Sequence, residues 1–352
     1  VSHDARPRIL VADPAQTAAF DAAIEEAAAV IRAGGLVAFP TETVYGLGAN
    51  AFDADAVRAI FSAKGRPAFN PVIVHLSDAS ELPTVARAIP PVARLLAGTF
   101  WPGPLTLVLP RRDEVPDVVT AGLPGVGVRV PSHPVARALI ARAGVPIAAP
   151  SANPFTRVSP TTAAHVAREM GSTVPLILDG GPTDVGIEST VLDVTGARPV
   201  LLRPGGVSRE AIERVAGPID ALAHAPAGDE PRPSPGLIER HYAPRARLVR
   251  LESTHPSALA RQLADAAPAG SRVAILWRHG TVLPREVDYA GPAPLLVALP
   301  SDAQGYAREL YAALHRIDDA QCQVALVEAP PADPSWEAVS DRLRRAGLDP
   351  RQ

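Results

Sequence analysis

Thr190-Val191-Leu192-Asp193-Val194-Thr195-Gly196-Ala197-Arg198-Pro199-Val200-Leu201-Leu202 decides the fold of the first part of this chain. Its two apolar, β-branched runs, 190–194 and 200–202, read as strands. Only Thr195 to Pro199 lies between them, too short for the crossover that parallel strands need, so an antiparallel pairing is implied. Leu105 to Leu109, Val126 to Val130, Pro146 to Ala149 and Leu176 to Leu178 are further strand candidates, and helical patterns separate only some of them. The expectation is an α/β domain built on a mixed twisted sheet with helices, not a doubly wound parallel one.

Upstream, Phe20, Ile24, Ala27, Ala28 and Ile31 recur at helical spacing, and Gly34-Gly35 stops that helix before the buried run Leu36 to Phe39. Val57, Ile60 and Phe61 form the apolar face of a second helix, with Asp53 or Asp55 as N-cap and Gly65 just past its end. Lys64 then sits at that helix's C-terminus, where an exposed cation is expected. In Val72 to Leu76 the two-residue period turns Ile73 and His75 away from the more apolar side.

Beyond residue 216 the periodicity fails. Pro226, Gly228, Pro231, Pro233, Pro235 and Gly236 crowd a segment that reads as a linker over 217–245. Leu248 to Leu251, Val273 to Trp277, Leu295 to Leu299 and Val324 to Val327 then read as strands, with helical stretches after the first, third and fourth. That alternation predicts a smaller parallel α/β domain over 246–352, after a first domain over 1–216.

Composition narrows the function. A chain of 352 residues predicts about two cores, and no apolar run approaches the ~18 residues that span a bilayer. Val1-Ser2-His3-Asp4 is no cationic and apolar leader, and the lone Cys322 excludes an internal disulfide, so the cytoplasm is the expected location. Net charge of −3 gives the whole chain no bias toward nucleic acid or anionic lipid. With one cysteine, and no histidine pair at i, i+4 among nine, a structural zinc site is disfavoured.

Of 34 basic residues, 33 are arginine and one, Lys64, is lysine. A compact ammonium on a thin stem fits a crowded phosphate site where the guanidinium fork does not. Lys64-Gly65-Arg66-Pro67-Ala68-Phe69-Asn70-Pro71 adds a second cation and an amide between prolines. Gly46-Leu47-Gly48-Ala49-Asn50-Ala51 fits the dinucleotide pattern G-x-G-x-x-A, but the strand before it ends too early and no ribose-binding acid follows at the required distance. A Walker A sequence is absent. Ser151-Ala152-Asn153 and Ser159-Pro160-Thr161 supply hydroxyls and an amide suited to phosphate or ribose, or to capped turns. Arg129, between Val128 and Val130, needs an anion, either in a salt bridge or on a ligand carboxylate.

Together, Pro40-Thr41-Glu42-Thr43-Val44-Tyr45-Gly46-Leu47-Gly48, Lys64-Gly65-Arg66-Pro67, Asn70-Pro71, Trp101-Pro102-Gly103-Pro104-Leu105-Thr106, Ser151-Ala152-Asn153, Ser159-Pro160-Thr161 and Gly186-Ile187-Glu188-Ser189-Thr190 resemble the YrdC/Sua5 family, whose members are threonylcarbamoyl-AMP synthases. Ser234-Pro235-Gly236 and His241-Tyr242-Ala243-Pro244 are similar to the linker of its two-domain Sua5 type, whose second domain is Rossmann-like. The resemblance implies a nucleotidyltransferase that makes threonylcarbamoyl-AMP and pyrophosphate from L-threonine, bicarbonate or CO2, and ATP. The product is passed to the machinery of tRNA t6A37 modification, and direct tRNA binding is left open.

By the same resemblance, Thr43, His75, Arg129, the Ala149 backbone and Ser189 would bind threonine. Lys64, Arg66, Asn70, Gly125, Ser151, Asn153, Ser159, Arg203 and Tyr242 would bind ATP, Lys64 and Arg66 being the catalytic cations. Mg²⁺ is expected on phosphate oxygens, with no protein side chain as ligand. Three positions depart from the family pattern: Gly125 replaces a threonine, Phe155-Thr156 replaces a Ser-Gly pair, and Leu237-Ile238-Glu239 is less basic and aromatic than usual. Two other readings share the domain type. An RNA-binding module would lack nucleotide-dependent pyrophosphate release, and a carbamoyl-transfer enzyme of the hydrogenase-maturation type would need acylphosphatase and zinc-finger-like segments.

Overall fold

Alternating apolar residues, short turns and two distinct groups of helices divide the chain's packing in two. The computed structural model describes residues 7–222, 228, 230–238, 240–268, 270–284 and 291–348. Val1 to Asp4, Pro226 and Glu239, which entered the sequence reading, lie outside the described residues. Contacts group the chain into a first unit, Val1–Phe155 with Ser159–Leu237, and a second, Thr156–Val158 with Ile238–Gln352.

In the first unit the described strands are β1 Arg8–Val11, β2 Val37–Pro40, β3 Tyr45–Asn50, β4 Val74–His75, β5 Leu105–Pro110, β6 Gly125–Arg129, β7 Ile147–Ala148, β8 Leu176–Asp179, β9 Thr190–Asp193, β10 Val200–Arg203 and β11 Asp220–Ala221. They form one sheet in the order β1-β8-β2-β3-β7-β4-β6-β5-β9-β10-β11. β9 and β10 pair antiparallel across the 195–199 connection, as do β2 with β3 and β5 with β6. β4 with β6 and β5 with β9 are parallel, so the sheet is mixed.

β3 occupies the glycine-rich stretch that resembled a dinucleotide loop. A Cβ on Gly48 would come within 2.6 Å of the Phe39 ring and 2.7 Å of Ile147. Close strand packing therefore accounts for that glycine without any phosphate. Helices cover both sheet faces. Thr17–Arg32 and Pro134–Ala143 bury Ile24, Ile31 and Leu139 with Phe39, whereas Ala54–Lys64 and Ala163–Met170 bury Ile60 and Val166 with Leu47. A third cluster joins Leu96 of helix Pro91–Phe100 to Leu107 and Val128. His75 is buried, so the side it faces is not solvent.

The second unit is smaller and its sheet wholly parallel. β12 Arg247–Leu251, β13 Val273–Arg278, β14 Leu295–Leu299 and β15 Val324–Glu328 pair in the order β12-β15-β13-β14. Helices Pro256–Ala266 and Ala303–Asp319 supply the crossovers from β12 to β13 and from β14 to β15, and Glu337–Arg345 follows β15. Leu251, Leu259, Leu263, Ile275 and Leu326 fill one core there. Among the described residues no helix is long and apolar enough to cross a membrane.

Candidate active site

Adjacent strands deliver their polar residues to one line across the first unit's sheet. His75 at the end of β4 is in register with Arg129 at the end of β6 and, on its other side, with Ile147 of β7. Ala149 follows β7, and its backbone nitrogen donates to the Ile73 carbonyl at 2.9 Å. Beyond β6, Thr106 of β5 shares a 2.8 Å hydroxyl contact with Ser189, which immediately precedes β9. A bulge between Leu201 and Arg203 sets Arg203 of β10 opposite Val191. There Arg203 donates to the Ser189 carbonyl from Nε at 3.1 Å and Nη2 at 2.9 Å, and to its hydroxyl at 3.2 Å.

The turn between β2 and β3 meets the same line. Arg129 Nη1 donates to Thr43 Oγ1 at 3.0 Å, and Thr43 touches Thr41 at 2.8 Å. Arg129 Nη2 lies 3.5 Å from Glu42 Oε2, which also accepts from the Ser132 backbone at 3.1 Å. Both Arg129 and Glu42 are buried, so Arg129 has a protein carboxylate beside it at the long end of an ion-pair contact. His75 Nδ1 lies 3.3 Å from the Ile147 carbonyl, an acceptor only, so Nδ1 carries the proton and Nε2 is left as an acceptor. Burial, with Arg129's charge adding, pushes the His75 pKa down to about 3. The ring is neutral at physiological pH.

The helix Ala54–Lys64 begins as expected. Asp53, rather than Asp55, is its cap, accepting from the backbone of Asp55 and Ala56. It ends at Gly65, in the left-handed region at φ 60°. The expectation of an exposed Lys64 is corrected: the residue is 4% exposed. Its ammonium donates to the Ser151 carbonyl at 2.5 Å and to the Asn153 carbonyl. The Ser-Ala-Asn loop thus presents acceptors to the lysine from far along the chain, something no local pattern encodes. Burial, reinforced by Arg66's charge, holds Lys64 well below its ordinary pKa.

Arg66 donates to the carbonyls of Asn70 and Pro71 at 3.3 and 2.8 Å, with its guanidinium 6.0 Å from the Phe155 ring centroid. Asn70 is fully buried, and both polar atoms of its side chain lack a partner among the described residues. Ser159 donates to Glu188 Oε1 at 2.6 Å. Lys64 and Arg203 have neutral oxygens as partners, so their hydrogen bonds are made while their charges are not cancelled. A buried charge of that kind is costly unless an anion joins it.

Gly125 lies on the wall of a cavity of about 380 Å³ that Leu123, Pro124, Thr195 and Pro233 also line. A Cβ at Gly125 would stand 2.8 Å from Val108, which fills the room of the missing side chain. A recess of about 10 Å³ touches Gly125, Pro71, Thr106 and Pro235. Two of its lining residues, Pro71 and Pro235, are carbonyl acceptors for Arg66 and Arg203. Tyr242 belongs to the second unit, where it is buried at φ 60° with its ring stacked 5.8 Å from Tyr311. It is not among the residues that the first unit gathers.

Glu42, Thr106 and Glu188 stand within the line, although the sequence reading gave them no role. Each sits in a motif quoted above, and polar residues inside otherwise apolar strand flanks were the available signal. No group of three or more His, Cys, Asp or Glu suited to a metal occurs among the described residues.

Comparison with known proteins covers most of the chain. Residues 29–205 match the Sua5/yciO/yrdC family profile, described as telomere recombination. Residues 207–347 match the profile of the threonylcarbamoyl-AMP synthase C-terminal domain. The chain is 44% identical over 328 residues to threonylcarbamoyl-AMP synthase of Pyrococcus abyssi, covering 92% of this chain and 93% of that one. It is 43% identical to the Bacillus subtilis enzyme of the same name, with 93% of each covered. The crystal structure of P. abyssi Sua5 complexed with L-threonine superposes with a TM-score of 0.86, at 40% identity over 97% of both chains.

Proposed function

The chain belongs to the YrdC/Sua5 family of threonylcarbamoyl-AMP synthases, in the two-domain Sua5 form, and from that membership we propose how its own residues perform the reaction. It is a nucleotidyltransferase that joins L-threonine, CO2 or bicarbonate, and ATP into threonylcarbamoyl-AMP and pyrophosphate. The product serves t6A37 modification of tRNA.

Threonine binds along β4, β6 and the β2–β3 turn. Arg129 takes its carboxylate, Thr43 and Ser189 offer hydroxyls, the Ala149 backbone closes one side, and neutral His75 accepts a hydrogen bond from the threonine hydroxyl. After the ammonium gives up a proton, the free amine attacks CO2 and releases a second proton to solvent to give a carbamate, whose oxygen displaces pyrophosphate from the α-phosphorus. Positioning and charge neutralisation suffice for these steps, so no covalent nucleophile is assigned. Lys64, Arg66 and Arg203 neutralise the phosphates, while Asn70, Ser151, Asn153 and Ser159 orient the nucleotide beside the Gly125 wall. Tyr242 is assigned to the nucleotide by family resemblance alone. Mg²⁺ fits this donor set only through phosphate oxygens, where it would add charge neutralisation to that of the cations.

The observation that carries this reading is that buried Lys64 and Arg203 have neutral oxygens as partners, in the same unit in which adjacent strands and the β2–β3 turn bring Arg129, Thr43 and His75 together. Pyrophosphate release is the test. It should require both L-threonine and bicarbonate, and serine should turn over more slowly, because loss of the methyl removes roughly 1 kcal/mol or more of contact. Full release without threonine, or equal rates with serine, would refute the assignment.

A further inference from the structure

Two of the sealed polar atoms without a partner among the described residues belong to one ion pair: Oε1 of Glu42 and Nε of Arg129. The other oxygen of Glu42 is engaged, by the Ser132 N–H and by Arg129 itself. An ionised oxygen deprived of both water and a donor is unfavourable, and such an atom persists in a site where a ligand group meets it. The surroundings say which group. Burial and the nearby Arg203 disfavour the charged form of Arg129, while Glu42 opposes them. An amino acid brings an ammonium into that cationic field, and it needs a carboxylate beside it. Glu188 is the other buried carboxylate of the quoted motifs, and its Oε1 already accepts from Ser159 at 2.6 Å.

We propose that Glu42 receives the substrate's α-ammonium, so that the Arg129–Glu42 pair reads an amino acid by both of its charges. The guanidinium takes the carboxylate and Glu42 Oε1 takes the amine. The pair then selects α-amino acids over hydroxy acids, and holds the nitrogen beside a carboxylate oxygen that can take the ammonium's proton, after which the free amine attacks CO2. The inference rests on the threonine pocket proposed above.

Calorimetric titration with L-threonine and with 3-hydroxybutanoate, the same skeleton without the amine, tests it in the wild type and in Glu42→Gln. The wild type should prefer threonine by about tenfold or more, as a site built around a ligand's polar group rejects the analogue lacking it. Glu42→Gln should weaken threonine by about tenfold and leave 3-hydroxybutanoate within about twofold, so that the preference collapses. If Glu42 only props Arg129, both ligands weaken equally, and that result overturns the proposal. An intact preference in the variant overturns it too. Should the variant not fold, the wild type alone decides, because similar affinity for the two compounds removes any role for the amine. No threonine binding by the wild type would instead refute the pocket assignment, and the inference with it.

Discussion

At the scale of single residues, Lys64 shows how a charge is kept available. Its ammonium is satisfied by two carbonyls and an amide oxygen, none of which cancels it. Lys64→Arg forces a larger planar group against the Ser151–Asn153 backbone. We expect kcat/KM for ATP to fall by more than about tenfold, or ~1.4 kcal/mol. Melting temperature should fall as well, by about 2 to 10 °C, since overpacking costs about 1 to 3 kcal/mol. Wild-type activity and melting in the variant would return Lys64 to the status of a compositional accident. The importance of this lysine was legible from its rarity, but its burial was not, because the carbonyls that enclose it lie 87 and 89 residues further on.

His75 gives a prediction with a definite sign. Its folded pKa of about 3 lies below the ordinary 6.5, so between those values the unfolded chain holds more protons and stability rises with pH. The contribution is complete above about pH 6.5 and is lost as pH falls toward about 3. His75→Gln abolishes that titration. Denaturant unfolding should show the stability gap between wild type and variant narrowing by about 2 to 3 kcal/mol from about pH 7 to about pH 4.5. A gap independent of pH would mean that the imidazole titrates as it does in water.

At the scale of elements, two glycines that look alike in sequence carry different constraints. Gly205, just past β10, packs its Cα onto the backbone before β9: an added Cβ would lie 2.3 Å from the Glu188 carbonyl oxygen and 2.4 Å from the Ser189 carbonyl carbon. Backbone cannot rotate aside. Gly205→Ala should lower the melting temperature by more than about 4 °C and abolish most activity, because it drives Arg203 away from Ser189. Gly65 has open space around its Cβ but φ of 60°. Gly65→Ala should therefore cost only about 1 to 2 kcal/mol, with KM for ATP rising as Lys64 is re-aimed. Scanning calorimetry and steady-state kinetics on both variants separate the two mechanisms.

Strands with an alternating or continuous apolar signal, such as β5, β6, β9 and β13, were legible within a residue or two. β3 was not, since its glycines suppress strand propensity and are explained only by the Phe39 ring packed against them. β11 was missed because a two-residue strand at a sheet edge has too little pattern to register, and its residues fell inside the stretch read as linker.

At the scale of the whole molecule, the contact division does not follow the order of the chain. Thr156–Val158 groups with the second unit although its neighbours Phe155 and Ser159 belong to the first. Within the second unit, Arg157 pairs with Asp318 at 3.1 Å, and the Ala243 backbone donates to the Thr156 carbonyl at 2.9 Å. Asp318 also accepts from the backbone of Arg245 at 2.7 Å. Asp318→Ala removes the acceptor that Arg157 and the Arg245 backbone share, at a cost of about 1 to 3 kcal/mol. It should also raise KM for ATP, because the freed segment lies between Asn153 and Ser159. Unchanged KM would show that the loop keeps its conformation without that anchor. The mixed sheet and the parallel second sheet were readable from spacing and alternation, whereas this excursion joins residues too distant in sequence for any periodicity to record.

The excursion also sets an order of events during synthesis. When Val158 leaves the ribosome, the strands that complete the first sheet have yet to follow, and Asp318 lies 160 residues behind (318 − 158). At about 5 to 20 residues per second that interval lasts roughly 10 to 30 s. The nascent first unit can acquire its core before then, but the loop carrying Asn153 and Ser159 stays without its anchor until most of the chain has been translated.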